Sequence, residues 1–462
     1  MGSIMKKILL GVLLASTAMS AAQAADLAAR RYTKAPVMAT VYDWTGFYVG
    51  VNAGVGLGRD REILSTPAIP AAMSTYLQPL GGIGGAQIGY NWQTPSAFGN
   101  LVFGVEADIQ GSDMSDNRTS LTLAPPVVFN QSLDWFGTVR GRVGIATGPV
   151  LSYVTAGYAY GNVKTTVTEG IPMLSTSRMH SGWTYGSGVE AALGGNWTGR
   201  IEYLYLNLDN KDDVFAGGTQ ALHSEIRENI FRAGLNYRIG GNSVYTPVAA
   251  ANWSGLYLGG NFGGGTARNR STLTVPGVPF TDQFNLAADG VNGGVQAGYN
   301  WQAANWVFGV ETDFQASSQQ DNKTCIVTCT AGLFVSYDQK LPWFGTVRGR
   351  LGYSIGSTLV YATGGYAYGK VETNVSTSAG NFSADSTRSG WTAGAGIETP
   401  FTFLGLFGPN WTSKTEYLYV DLGNASTSVT APIVATNSGH LQEHIFRTGL
   451  NYHFNTPVVA KY

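Results

Sequence analysis

Charged residues are scarce in this chain, and neither sign of charge is in excess. Only 12% of the 462 residues are Asp, Glu, Lys or Arg, against about 25% in an average soluble protein. The 28 basic and 29 acidic residues nearly cancel, which leaves a formal net charge of −1. This balance excludes a broadly basic nucleic-acid binder, and we expect no nucleic-acid partner.

Long apolar runs are also missing. After the N-terminus, no stretch of 18 or more apolar residues could form a membrane-spanning helix. The chain is instead rich in glycine, with 62 residues, and in aromatic residues, which make up 12%. This composition is typical of a sheet protein whose strands are apolar on one face only.

Cysteine is nearly absent. The sequence has two cysteines, Cys325 and Cys329, which stand close together in DNKTCIVTC. In an oxidising compartment they favour a small disulfide loop, and two unpaired thiols are the alternative. A metal site needs more ligands than the sequence places near them. We therefore expect no metal and no cofactor.

The N-terminus has the features of a secretory signal peptide. Lys6 and Lys7 precede a short apolar stretch at 8–15, and an A-x-A pattern ends at Ala24. The apolar stretch is too short for a membrane anchor. The pattern predicts cleavage between Ala24 and Ala25 and export of the mature chain.

The remaining sequence is written twice. WFGTVRGR stands at 135–142 and again at 343–350, and GYNWQ, GYAYG and EYLY recur in the same order with a nearly constant offset. Conserved segments alternate with segments that do not match between the copies. Two copies of one unit, each with a constant scaffold and variable loops, explain this pattern.

Within each copy, apolar and polar residues alternate with period two. Trp135, Gly137 and Val139 fall on one face, and Arg140 and Arg142 fall on the other. A strand separates these sets cleanly, whereas a helix would scatter them. The first copy contains eight such segments of ten or more residues, joined by alternately short and long connections. That arrangement indicates a transmembrane β-barrel.

We therefore predict an all-β protein with two tandem eight-stranded antiparallel transmembrane barrels. One sixteen-stranded barrel is the alternative, but each copy repeats its own opening and closing segments. A soluble β-sandwich should be polar on its outward face, whereas here the face opposite the charges is aliphatic and aromatic. The predicted organisation is a signal peptide (1–24), an N-terminal periplasmic segment (25–41), a first barrel (42–240), a linker (241–250), a second barrel (251–454) and a C-terminal tail (455–462).

The charged residues of the strands are predicted to face the lumens. An arginine that faces lipid at mid-membrane costs about 2–4 kcal/mol, so the charged face must turn inward. The balance of signs predicts ion pairs that fill a narrow barrel rather than line a charged pore. The predicted network comprises Glu106, Asp108, Arg140, Arg142, Glu190, Arg200, Glu202, Arg232 and Arg238 in the first copy, and Glu311, Asp313, Arg348, Arg350, Glu398, Lys414, Glu416 and Arg447 in the second.

Several motifs carry a family resemblance. WTGFYVGVNAG, GYNWQ, FGVEAD, WFGTVRGRVG, GYAYG, GWTYGSGVE, EYLY and FRAGLNY follow one another in the first copy. Together they resemble the small outer-membrane β-barrel proteins of Gram-negative bacteria, often called the porin family or outer-membrane immunogenic proteins. The resemblance covers nearly all of the mature chain, twice. It implies eight-stranded barrels in the cell outer membrane, in contact with outer-membrane lipid and inserted by the barrel insertion machinery.

The sequence predicts a structural and surface-interaction protein, with the extracellular loops as its contact surface. The five histidines match no catalytic pattern, so we expect no enzyme. A general diffusion porin is one alternative. A surface hemin-binding protein is the other, since the family resemblance implies hemin binding in some members and four histidines lie near the outer strand ends: His180, His223, His440 and His444. The sequence leaves open any contact with peptidoglycan or a host surface.

Overall fold

Nearly all of the described chain is β-strand. The computed structural model describes residues 42–65, 73–96, 99–120, 127–169, 173–215, 220–240, 251–274, 281–324, 335–377, 380–401, 407–429 and 435–454. No helix within these ranges is long and apolar enough to cross a membrane. The two cysteines, the predicted signal cleavage site, the linker and the C-terminal tail lie outside the described residues.

The first copy forms one closed sheet. Its strands are β1 (Gly46–Gly58), β2 (Asp60–Ser65), β3 (Met73–Leu77), β4 (Leu80–Ser96), β5 (Gly99–Ser120), β6 (Val127–Thr147), β7 (Val150–Glu169), β8 (Met173–Gly194), β9 (Trp197–Phe215) and β10 (Gln220–Ile239). The order is β1-β4-β5-β6-β7-β8-β9-β10, and β1 pairs back onto β10. Strands β2 and β3 continue β1 and β4 beyond short interruptions, and β2 also pairs with β10. The result is an eight-stranded ring.

The second copy repeats this arrangement. Its strands are β11 (Gly255–Thr274), β12 (Thr281–Leu286), β13 (Asp289–Ala303), β14 (Trp306–Thr324), β15 (Val335–Ile355), β16 (Thr358–Thr377), β17 (Gly380–Pro400), β18 (Trp411–Val429) and β19 (Ala435–His453). Strand β12 continues β13, and β11 closes the ring by pairing with β19. The two rings are separate sheets, so the prediction of two eight-stranded barrels is confirmed over the single sixteen-stranded one.

Each barrel has two unlike ends. At one end, tight connections such as residues 148–149 and 356–357 join neighbouring strands. We call this the turn end and the opposite end the loop end. The strands are long on the loop side: β5, for example, runs from Gly99 to Ser120. Antiparallel pairing continues there beyond small bulges, which keeps the backbone groups hydrogen-bonded.

Burial is inverted relative to a soluble sheet protein. Val105, Ile109, Val139 and Val143 lie on the outer face and are each 46–54% exposed, whereas Arg140 on the inner face is 2% exposed. The register pairs Glu106 directly with Arg140 across β5 and β6. The period-two alternation therefore sorts the apolar side chains outward and the charges inward, as the sequence predicted.

Candidate functional site

A layer of ion pairs crosses the lumen of the first barrel, centred on Arg140. This guanidinium contacts Glu106, lies 2.9 Å from an Asp108 oxygen and 3.0 Å from a Glu202 oxygen. Arg232 reaches the same carboxylates from the other side of the barrel, at 2.9 Å from Asp108 and 2.6 Å from Glu202. Two arginines from distant strands thus bridge three acids.

Arg142 extends the layer toward the turn end. Its Nη1 lies 2.9 Å from a Glu190 oxygen, and its Nε donates to the side-chain oxygen of Asn91 at 2.8 Å. The guanidinium also lies 4.8 Å from the ring centroid of Tyr48 and 5.2 Å from that of Tyr153. Aromatic faces and carboxylates together surround this cation.

Arg200 and Arg238, the remaining predicted cations, differ in position. Arg200 forms an ion pair with Glu106 inside the layer. Arg238 lies at the turn end, where its guanidinium donates to the backbone carbonyls of Asp43 and Thr45 and stacks 4.8 Å from the ring of Tyr42. Within the described part of the chain, Arg238 forms no ion pair with the predicted carboxylates.

The second barrel contains the same layer at equivalent positions. Arg348 contacts Glu311, Asp313 at 2.9 Å and Glu416 at 3.2 Å. Arg447 completes the bridge at 2.9 Å from Asp313 and 2.6 Å from Glu416.

The other three predicted charges join it. Arg350 pairs with Glu398 at 2.7 Å, and the Nζ of Lys414 lies 2.8 Å from Glu311. All eight predicted residues of this copy therefore lie in one connected cluster.

Sequence reasoning missed the neutral donors that complete both layers. Tyr48 donates to Glu106 at 2.7 Å, and Tyr153 donates to Glu202 at 2.9 Å. In the second barrel, Tyr257 and Tyr361 make the same bonds to the equivalent glutamates at 2.7 and 2.9 Å. The alternation contained the signal, because Tyr48 falls on the inner face of its strand and its neighbours Phe47 and Val49 on the outer face.

Apolar side chains fill the lumen on the loop side of the charged layer. In the first barrel they are Ile83, Met114, Leu133, Phe136, Ala159, Val163, Leu204, Leu206, Leu208, Ile226 and Ile230. A matching cluster in the second barrel includes Phe344, Leu418 and Ile445. Leu204 and Leu206 interrupt the alternation of apolar and polar residues along β9, because they share the inner face with Arg200 and Glu202. The structure shows that one inner face carries both layers.

A tryptophan closes each barrel at the turn end. Trp44 is 1% exposed and packs with Tyr42, Val102 and Leu151. Trp253 is fully buried at the equivalent place and packs with Val307 and Leu359. Each lumen is thus divided into an aromatic layer, a charged layer and an apolar layer.

The four predicted hemin candidates lie in different surroundings. His180 is buried with its Nδ1 3.3 Å from the Asp209 carbonyl, and His223 contacts Asp212. His440 pairs with Asp421 at 3.0 Å, and His444 bonds to Tyr417 at 2.6 Å. Among the described residues, no group of three or more His, Cys, Asp or Glu side chains could hold a metal ion. Hemin binding stays a prediction.

The chain matches the family described as "Outer membrane protein beta-barrel domain" twice, over residues 11–238 and 239–454. A 31 kDa outer-membrane immunogenic protein of Brucella melitensis is 34% identical over 245 residues, covering 51% of this chain and all of the relative. A 22 kDa outer membrane protein of Rhizobium leguminosarum is 36% identical over 176 residues, covering 37% of this chain and 66% of the relative.

Two solved structures are also similar. Neisserial surface protein A matches 42% of this chain and 98% of its own length, at 16% identity and a TM-score of 0.24. A Pseudomonas aeruginosa FadL homologue matches 89% of this chain and 91% of its own length, at 9% identity and a TM-score of 0.28. Two family matches on two closed rings lead to one conclusion: this chain belongs to the outer-membrane β-barrel protein family, with two barrel domains in tandem, and resides in the outer membrane.

Proposed function

We propose that this is a structural and surface-contact protein of the outer membrane, whose barrels are closed to solutes. The observation that carries the proposal is the charged layer in each lumen. In the first barrel, Arg140 and the three acids that it contacts are all at most 5% exposed. Because so little of their surface is exposed, these side chains leave no water-filled path through the lumen.

The size of the barrels also supports the proposal that they are closed to solutes. An eight-stranded barrel is just wide enough for its own side chains to fill, whereas porins of 16 or more strands enclose a channel. Here three successive layers fill that space, and the ion pairs neutralise one another. A diffusion porin needs an open, hydrated lumen, which this arrangement does not offer.

Conductance across planar bilayers tests the closure. The purified full chain should produce no steady channels, whereas large steady channels would make it a diffusion porin. Replacing both Arg142 and Glu190 with alanine removes a buried pair of 2.9 Å without changing the net charge, and should introduce small conductance events. The matched control replaces Arg61 and Glu225, a half-buried pair at 3.7 Å outside the charged layer, and should stay silent. Heat-induced mobility shifts on gels report whether each variant is folded.

The loop ends form the proposed contact surface. In outer-membrane barrels the short turns are periplasmic and the longer loops extracellular. Lys164 is exposed on the loop half of β7, whereas Lys414 is buried in the second lumen. A membrane-impermeant amine reagent added to intact cells should therefore label Lys164 and spare Lys414. Failure to label Lys164 on intact cells, with labelling restored after lysis, would contradict this orientation.

A further inference from the structure

The two barrels pack against each other through their outer faces. Phe231 on β10 lies 5.2 Å, centroid to centroid, from Tyr417 on β18, and Tyr203 on β9 stacks 6.0 Å from Phe446 on β19. His444 also belongs to this contact, because it lies 6.0 Å from Phe231 and is 3% exposed. Side chains that would face lipid in an isolated barrel are therefore covered by the neighbouring barrel.

Polar contacts join the barrels near the loop end. Arg59 lies 3.0 Å from Asp289 and 2.7 Å from Asp321, and Arg270 lies 2.9 Å from Asp116. Each of these pairs has its cation and its anion on different barrels. Together with the aromatic contacts, these ion pairs hold the outer faces of the two barrels side by side.

A cleft of about 950 Å³ remains between the barrels, beside this contact and outside both lumens. Its walls include Val143, Ile145 and Val154 from the first barrel and Phe262, Gly264 and Val291 from the second. The volume falls within the roughly 300–1,000 Å³ of typical ligand sites. Because both copies contribute walls, the cleft is a property of the tandem arrangement.

The walls are of the kind that faces hydrocarbon. Val143, Val154, Phe262 and Val291 are 46–61% exposed and belong to the apolar outer faces of the barrels. The apolar side chains that line most of the cleft offer water no hydrogen-bond partners. Within the bilayer, the molecules available to fill it are lipids.

At one wall position the second copy lacks a side chain that the first copy has. The segment NWSGLYLGGNFGGG at 252–265 aligns with DWTGFYVGVNAGVG at 43–56, so Gly264 stands where the first copy has Val55. A Cβ atom at Gly264 would come no closer than 3.8 Å to another atom, the carbonyl oxygen of Gly290. The backbone therefore accepts a side chain here, and its absence leaves the cleft open.

We propose that this cleft holds an acyl chain of a glycerophospholipid, as a site of the paired barrels separate from either lumen. The first-barrel wall includes Leu101, Ile145 and Ser152, close to the turn end. That end is periplasmic in this class of protein, and glycerophospholipids form the periplasmic leaflet of a Gram-negative outer membrane. The Arg59–Asp289 ion pair bounds the site at the other end, because Asp289 is itself part of the wall.

Native mass spectrometry tests the proposal with a matched pair of variants. The full chain is reconstituted in palmitoyl-oleoyl phosphatidylethanolamine vesicles, extracted in mild detergent and weighed with its retained lipid. Gly264→Trp fills the cleft. Gly260→Trp is the control, since Gly260 is on the same strand, has similar room for a Cβ atom and lies outside the cleft wall.

Wild type and Gly260→Trp should each retain one lipid per chain. Gly264→Trp should retain at least about tenfold less lipid per chain. Val291→Trp is the second blocking variant, should Gly264→Trp fail the heat-shift test for folding. Equal retention in a folded blocking variant, or no retained lipid in the wild type, overturns the site. A parallel reconstitution with lipopolysaccharide identifies the source, because retention of that glycolipid alone would overturn the glycerophospholipid assignment.

Discussion

The same charged layer is built twice in this chain, and the two copies differ at one cation inside the layer and at one cation at the turn end. Arg200 of the first barrel is replaced by Lys414, and Arg238 is replaced by His453. The core of the layer does not differ, because Arg140 and Arg348 each bridge two glutamates and one aspartate. Positions that are identical in the two copies indicate contacts that require arginine. Positions that differ indicate contacts that another side chain can make.

The replacement of Arg238 is accompanied by a change in its neighbour. Arg238 stacks on Tyr42, and the residue aligned with Tyr42 in the second copy is Ala251. His453 instead makes an edge-to-face contact with Trp253, with ring centroids 5.8 Å apart, and lies 3.3 Å from Glu398. The cation and its aromatic partner have thus been exchanged together, which indicates that they act as one unit.

The replacement of Arg200 by lysine has a different explanation. The Nε and Nη2 atoms of Arg200 have no hydrogen-bond partner among the described residues. Lys414 makes the equivalent contact with one nitrogen, 2.8 and 3.0 Å from the two oxygens of Glu311. A compact ammonium group is sufficient where the fork of a guanidinium is not fully used.

Removing the shared central arginine should produce the largest effect. Arg140→Met leaves three buried carboxylates without their main cation, so we expect a loss of about 3–5 kcal/mol in the free energy of unfolding. Arg348→Met should cost the same in the second barrel. Urea unfolding in detergent micelles measures both. Arg227→Met is the control, because Arg227 forms an exposed pair with Glu225 and should change stability by less than about 1 kcal/mol. A central arginine that behaves like the control would show that the layer is not structural.

The apolar layer should respond equally in the two copies. Leu204→Ala and Leu418→Ala each remove a fully buried side chain, and each should cost about 2–5 kcal/mol in the free energy of unfolding. Because the charged layer stays in place, neither variant should conduct in planar bilayers. Steady conductance after either substitution would show that the apolar layer, and not the charged layer, blocks solutes.

The sequence was sufficient to predict the barrels because their physical requirements repeat along every strand. Period-two alternation placed Arg140 and Glu106 on the inner face and Val139 and Val105 on the outer face, where the structure has them. The alternation did not predict which charged side chains pair. It assigns each side chain to the inner or outer face but gives no position along the barrel axis. Arg238 illustrates this limit, since its face was predicted but its position at the turn end was not.

The contact between the barrels was beyond sequence reasoning for a related reason. Phe231 and Tyr417 follow the same outward pattern as residues exposed to lipid, so alternation cannot distinguish a lipid-facing ring from one covered by protein. His444 gave a local signal, because a histidine on an apolar outer face is costly in hydrocarbon. Recognising that signal required the position of the second barrel.

The unit formed by Arg238 and Tyr42 should show an intermediate effect. Arg238→His and Tyr42→Ala each remove one side of the stack, and together they recreate the residues of the second copy. We expect an interaction energy of about 0.5–2 kcal/mol in a double-mutant cycle, because the cation–aromatic contact is lost only once. Urea unfolding of the two single variants and the double variant measures it. Strictly additive losses would mean that the two exchanges between the copies are independent.

The exchange at Arg200 should produce the smallest effect and sharpen the comparison furthest. Arg200→Lys reproduces the second copy, so we expect only a small loss in the free energy of unfolding. The matched substitution is Arg140→Lys. Arg140 uses its whole fork: Nε donates to Thr138 at 2.8 Å, Nη1 to Glu202 at 3.0 Å and Nη2 to Asp108 at 2.9 Å. One ammonium group cannot span these acceptors, so this variant should lose several times more stability than Arg200→Lys. Equal losses at the two positions would show that charge alone, and not the geometry of the guanidinium, determines which cations the two barrels must share.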